Sequence, residues 1–111
     1  KLEHYKDGVL HGEMKQWYDS GALFVEGAYK EGMFDGKWII YYENGSVGSM
    51  ATYKDGAGVQ IGYSHDGLML TKIHYRDNVK HGEEIRYDRK GDVAEILIWE
   101  NGEYVKTMGK Q

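Results

Sequence analysis

The stretch Gly36-Lys37-Trp38-Ile39-Ile40-Tyr41-Tyr42-Glu43-Asn44-Gly45, continued by Tyr53-Lys54-Asp55-Gly56, decides the fold. An aromatic and aliphatic run closes on Glu-Asn-Gly, and a second run closes on Lys-Asp-Gly. Both endings are turn sequences. Short runs rich in aromatic and β-branched residues between tight turns make a β-hairpin.

The same unit recurs along the chain. Tyr5-Lys6-Asp7-Gly8, Tyr29-Lys30-Glu31-Gly32, Tyr53-Lys54-Asp55-Gly56, Tyr75-Arg76-Asp77-Asn78 and Trp99-Glu100-Asn101-Gly102 follow one another at spacings of 24, 24, 22 and 24 residues. A second glycine column is Gly12, Gly36, Gly58 and Gly82, and a third, nine residues further on, is Gly21, Gly45, Gly67 and Gly91. Self-similarity at such a period is the signature of stacked supersecondary units. Asn78 stands in a glycine column because Asn best replaces Gly at positive φ. The constant nine places the short period between Gly56 and Gly58, as a two-residue deletion in a connecting loop, where deletions are tolerated.

The expected fold is all-β: an elongated, twisted single antiparallel sheet of tandem β-hairpin repeats. Residues 1–111 form one repeat domain, with repeats 5–28, 29–52, 53–74 and 75–98. Residues 1–4 are a partial unit, and residues 99–111 are a partial repeat or cap whose tail, Glu103 to Met108, forms a last strand.

Register sets which residues share a face, because a one-residue slip exchanges the faces. The turns before Gly21, Gly45, Gly67 and Gly91 fit a two-residue loop or a three-residue loop closed by glycine. The three-residue loop pairs Tyr42 with Ser46 and Tyr41 with Val47, and it gathers the larger set of columns on one face. That face holds Trp17, Tyr41, Tyr63 and Tyr87; Gly27, Ala51, Ile73 and Leu97; and Tyr29, Tyr53, Tyr75 and Trp99. Lys15, Ile39, Ile61 and Ile85 join them, as do Leu23, Val47, Met69 and Val93. Gly27 and Ala51 are small where Ile73 and Leu97 are large, so the seam curves or is unevenly filled. On this register Met14, Tyr18, Phe24, Trp38, Ile40, Tyr42 and Met50 fall on the opposite face as an exposed patch. Aromatic and Met patches mark contact surfaces, so these seven are the candidate interaction surface, with Trp38 and Tyr42 as anchors.

Composition agrees with short strands and tight turns: 16 glycines, 10 tyrosines, 3 tryptophans and no proline in 111 residues. The formal net charge of −4 disfavours non-specific binding to nucleic acid or an anionic membrane, which needs a basic excess. No apolar run approaches the roughly 20 residues of a membrane-spanning helix. Without cysteine there is no disulfide, thiolate nucleophile or cysteine metal site. The compartment is open between bacterial cytoplasm and cell envelope.

The columns resemble the variant form of the MORN repeat found in many bacterial proteins, whose motif is close to Gly-x-Trp-x-x-Tyr-Tyr-x-x-Gly, then a strand, then Tyr-x-x-Gly. Residues 36–45 with 53–56 match it almost throughout. The first repeat has Met14 in the Trp place and Trp17-Tyr18 for Tyr-Tyr. The third and fourth repeats put Gln60 and Glu84 in the Trp place and keep Tyr63 or Tyr87. The resemblance implies a scaffold or interaction module, and bacterial proteins of this kind are often labelled as antitoxin components, which implies binding to a partner protein.

Signs of chemistry are sparse. His11 and His81 share a repeat position, but they lie three repeats apart, and the expected role is a polar turn residue rather than a metal ligand. Glu13, Glu83, Glu84, Asp88 and Asp92 sit near Lys15, Lys37 and Arg86 and read as cross-strand ion pairs. The serines lack a nucleophile elbow and the glycines open no helix to receive a phosphate. No catalytic residue, cofactor or metal site is expected. The expected function is a non-catalytic protein–protein interaction module of MORN-repeat type, an antitoxin-like component in its finest form, with an unidentified protein partner or self-association. The alternative is carbohydrate or small-ligand binding by exposed aromatics.

Overall fold

A computed structural model describes residues 1–109. All regular structure is β-strand. A small hairpin, β1 (Tyr5–Lys6) and β2 (Val9–Leu10), precedes a nine-stranded antiparallel meander. Its strands are β3 (Gly12–Trp17), β4 (Leu23–Lys30), β5 (Met33–Tyr41), β6 (Val47–Lys54), β7 (Ala57–Tyr63), β8 (Met69–Arg76), β9 (Val79–Tyr87), β10 (Val93–Glu100) and β11 (Glu103–Gly109). They lie in sequence order and the sheet does not close into a barrel. The described chain measures 48 × 32 × 19 Å. Leu2 bridges Lys15 as Glu26 pairs with Ile39, so the first residues lie along β3 in the place that β4 takes beside β5.

Two turn types alternate. At one end of the strands, Asp7-Gly8, Glu31-Gly32, Asp55-Gly56, Asp77-Asn78 and Asn101-Gly102 all have positive φ at both residues, which is the two-residue type I′ turn. Asn78, at φ 68°, holds the glycine conformation as expected. At the other end are three-residue loops. The Tyr42 N–H donates to the Ser46 carbonyl at 2.8 Å, the Gly45 N–H donates to the Tyr42 carbonyl at 2.9 Å, and Tyr41 pairs with Val47. The same loop closes Tyr18 with Ala22, Ser64 with Leu68 and Asp88 with Asp92.

The expected faces do not survive one residue beyond that loop. Tyr41 pairs with Val47, but Ile40 pairs with Ser49, so Gly48 is an extra residue in its strand. The shift recurs in every hairpin closed by a three-residue loop, leaving Phe24, Gly48, Leu70 and Ala94 as single-residue bulges. A bulge of one residue flips the alternation of everything past it. The single apolar face of the sequence reading therefore splits. Gly27, Ala51, Ile73 and Leu97 stay with Tyr29, Tyr53, Tyr75 and Trp99 on one face. Lys15, Ile39, Ile61 and Ile85 move to the other, with Trp17, Tyr41, Tyr63 and Tyr87.

A second correction concerns the short repeat. Its turn, Asp55-Gly56, is intact, so the missing pair is not a loop deletion. In the β4–β5 and β8–β9 hairpins the register jumps by two residues around Gly36 (φ 70°) and Gly82 (φ 95°). The β6–β7 ladder runs from Lys54↔Ala57 to Ser49↔Gly62 with no shift. The two residues lost are those that make this larger bulge. Because the loss is an even number, the faces are preserved.

The most buried side chains are Met14, Val25, Ala51, Tyr53, Leu97 and Glu84. By the pairings, all six lie on the face shared by Trp38 and Tyr53, here called the covered face. Its organising rule is an aromatic over a glycine. Tyr29 sits opposite Gly12, Tyr53 opposite Gly36 and Gly58, Tyr75 opposite Gly58, and Trp99 opposite Gly82. A Cβ at Gly58 would stand 2.9 Å from the Tyr53 ring. Burying one such ring is worth roughly 1.5–3 kcal/mol, gained once per repeat.

Neighbouring repeats are also tied through their turns. The Gly32 N–H donates to the Leu10 carbonyl at 2.7 Å, Gly56 to Phe34 at 2.9 Å and Gly102 to Lys80 at 2.8 Å. At the opposite end, the Tyr18 hydroxyl donates to the Tyr41 carbonyl at 2.6 Å and the Tyr42 hydroxyl to the Tyr63 carbonyl at 2.5 Å. The second tyrosine of the Tyr-Tyr pair is thus a strut from one repeat to the next.

Candidate binding surfaces

The seven residues expected to form one exposed patch are distributed over three environments. Met14, Trp38 and Ile40 lie on the covered face, because the bulges move them there. Met14 pairs across to Gly27, and a Cβ on Gly27 would reach within 2.2 Å of the Trp38 indole, so Trp38 lies directly on that glycine. Its Nε1–H donates to the Ala28 carbonyl at 2.9 Å. Tyr18 and Tyr42 are the struts just described. Tyr42 also stacks on His65 with ring centroids 3.7 Å apart, and Tyr18 packs against the bulged Phe24 at 4.6 Å. Only Met50 faces outward on the other side, between Ile39 and Ile61.

Two surfaces replace that patch. The first is on the covered face. Phe34 is its hub, with ring centroids 4.9 Å from Trp38, 5.1 Å from Tyr53 and 6.5 Å from Tyr75. These four rings line a cavity of about 350 Å³. Val25, Ile40 and Ala51 add apolar wall, and Ser49, Gln60 and Asn78 add polar groups. The Gln60 amide donates to the Ser49 hydroxyl at 3.2 Å and accepts from the Tyr75 hydroxyl at 3.3 Å. Burial raises the Tyr53 phenol far above its ordinary value, with the Tyr75 phenol adding to the effect. It is a neutral donor and acceptor at any physiological pH.

Beyond the cavity the covered face turns ionic. Glu84 is 2% exposed. Its carboxylate accepts from Lys80 at 2.8 Å, from Arg86 at 3.0 Å and from the Trp99 indole at 3.1 Å. Burial alone would raise this carboxyl, but the hydrogen bonds and charges of Lys80 and Arg86 outweigh it and hold the group below its usual range. Lys80 also stands 4.5 Å from the centre of the Trp99 ring. Arg86 makes a second ion pair with Glu95 at 3.0 Å.

The second surface is the open face. Pairing places Ile39, Met50, Ile61, Ile85, Ile96 and Ile98 there. Strands touch chiefly their neighbours in the sheet, so no second layer of the described chain covers these side chains. Sequence periodicity misses Ile96 and Ile98 as part of this surface, because the bulge column Phe24, Gly48, Leu70 and Ala94 has no residue preference that would reveal it.

The two histidines at one repeat position serve turns. The Glu31 N–H donates to His11 Nδ1 at 3.2 Å, and the Asn101 N–H donates to His81 Nδ1 at 3.0 Å. Each closes the type I′ turn of the following repeat. Among the described residues no three His, Cys, Asp or Glu side chains come together as a metal cluster.

The architecture is that of a single-layer array of stacked β-hairpins, one face packed on itself and one open. The family model described as the MORN repeat variant matches residues 10–31 and 34–55. These two stretches are thus similar to the MORN repeat variant, and the later repeats continue their hairpin geometry with altered residues. No curated protein matches the chain, and no solved structure does.

Proposed function

We propose that this chain is a non-catalytic interaction module that holds a partner protein against its open sheet face. The observation that carries the reading is the inequality of the two faces. All six most buried side chains lie on one side. On the other, Ile39, Met50, Ile61, Ile85, Ile96 and Ile98 are half-buried around Lys72, and Trp17, Met69 and Val93 stand exposed on the same face. Uncovered apolar surface of this kind marks contact sites, and a rigid sheet presents it with little entropy left to lose on binding. The non-catalytic reading is supported by Glu84, whose two oxygens are committed to Lys80, Arg86 and Trp99. In its finer form the reading makes the chain an antitoxin-like component with a toxin-type partner, for which the family resemblance is the support.

The test is an affinity pull-down from the native organism, followed by titration of the recovered partner. Met50→Lys with Ile61→Lys should weaken binding at least ten-fold while the β-sheet circular dichroism and melting temperature persist. Undiminished binding by that folded variant overturns the assignment of the face. Sedimentation of the isolated chain distinguishes a foreign partner from a second copy on the same face.

A further inference from the structure

Two repeats each place two side chains, four residues apart, on the covered face: Phe34 and Trp38 in the second, and Lys80 and Glu84 in the fourth. In the second repeat the pair is in ring contact, 4.9 Å between centroids, and in the fourth it is an ion pair of 2.8 Å. The third repeat has lost the first member with its two-residue deletion, and its second member is Gln60. The cavity of about 350 Å³ borders that position, with Gln60, Tyr75 and Asn78 on its wall beside the second repeat's rings. The cavity adjoins the one repeat that departs from the pattern in length, and such departures from an otherwise consistent design concentrate at functional sites.

We propose that this cavity is a binding site for a neutral sugar ring. Its chemistry selects the class. None of the lining side chains carries a charge, and the nearest buried carboxylate, Glu84, is neutralised by Lys80 and Arg86. A charged ligand would find no counter-ion. Four aromatic rings provide apolar faces for the C–H surface of a pyranose. The hydrogen-bonding capacity left over is of the hydroxyl-matching kind. The Ser49 hydroxyl accepts from Gln60 and keeps its own proton to donate. The Gln60 amide keeps a second N–H. Tyr53 lines the cavity, and because no fully buried polar side-chain atom among the described residues lacks a partner, its hydroxyl, which bonds to none of them, keeps some accessible surface. A wholly apolar ligand would leave these groups unpaired, at a cost in affinity. The volume falls in the range of about 300–1,000 Å³ for small-ligand pockets. The site lies on the face opposite the proposed protein-binding surface and stands or falls independently of it.

The experiment titrates the full chain with neutral trisaccharides (maltotriose, cellotriose and chitotriose) and with trigalacturonate as the charged control, reading tryptophan fluorescence and heat. Saturable binding of at least one neutral probe, with none of the acidic one, is expected. Tyr53→Phe, which keeps the ring and removes only the hydroxyl, should weaken that binding about ten-fold, the equivalent of one hydrogen bond. Gln60→Trp, which restores the residue of the second repeat, should abolish it, and Gln60→Met, which copies Met14 of the first repeat, serves if the Trp variant does not fold. Met50→Lys with Ile61→Lys should leave it unchanged. Absence of saturable binding across the neutral panel, or binding indifferent to both Tyr53→Phe and the Gln60 variants, overturns the proposal.

Discussion

The Phe34 backbone N–H donates to the side-chain carbonyl of Asn78 at 2.8 Å, across 44 residues of sequence. The Asn78 amide donates in turn to the Gly32 carbonyl at 2.9 Å, and its own N–H to the Gly56 carbonyl at 3.1 Å. Between them lies the turn of the short third repeat, whose Gly56 has no room for a Cβ beside Asn78. The Asn78 side chain thus reaches past the turn of the third repeat, from the fourth repeat to the second.

Replacing Asn78 by Gly therefore separates two roles. Glycine adopts the required φ more easily than Asn, so a purely conformational role predicts a neutral or stabilising change. The bridge predicts the opposite, a loss of about 1–3 kcal/mol, because the Phe34 N–H and Gly32 carbonyl lose their partner in a half-buried site. Urea denaturation of Asn78→Gly against the parent decides.

The contact between Gly27 and Trp38 makes a coupled prediction. Gly27→Ala inserts a methyl into the indole and should destabilise by about 1–3 kcal/mol. With Trp38→Met, which copies Met14 in the first repeat, the penalty of the added methyl should fall below about 0.5 kcal/mol, measured as a double-mutant cycle.

The tyrosine struts are predicted to be worth about 1 kcal/mol each. Tyr18→Phe and Tyr42→Phe should each lower stability by that amount, while Tyr63→Phe should change it little. Thermal melts monitored by circular dichroism report the difference.

Glu84 gives the fold a pH dependence with a definite sign. Its carboxyl is held below the ordinary value of 4.5, so the folded state binds its proton less readily than the unfolded chain. The stability it contributes is complete above that value and drains away as pH falls through the lower, folded-state range. Glu84→Gln should flatten the acid limb of a stability–pH curve measured below pH 4.5 and lower the neutral plateau.

Much of the fold is legible in the glycines. Positive φ forces glycine or Asn into the turns, so the repeat period, the strand order and the three-residue loops can be read directly. The family resemblance rests on the same columns. The faces are not legible, because a bulge leaves no mark when its residue is Phe in one repeat, Gly in the next, then Leu and Ala. That single omission moves Trp38, Ile40 and Met14 from an imagined outer surface to the covered face. The deletion near Gly56 is visible as a number but not as a missing bulge, since a ladder without a register shift looks the same in sequence as a shortened loop. Nor does sequence spacing bring Asn78 to Phe34, because the turns meet only once the repeats stack.

The central claim is that a one-residue bulge beside every three-residue loop divides the sheet into a covered face bearing Trp38 and Ala51 and an open face bearing Met50 and Ile61. The chain has no cysteine, so single cysteines can be introduced and their reaction rates with a maleimide measured on the folded protein. Met50→Cys, Ile61→Cys and Ile96→Cys, at half-buried positions, should react several-fold faster than Ala51→Cys and Leu97→Cys, at buried ones. Slow reaction at positions 50, 61 and 96, or fast reaction at 51 and 97, would contradict the register and the division of faces built on it.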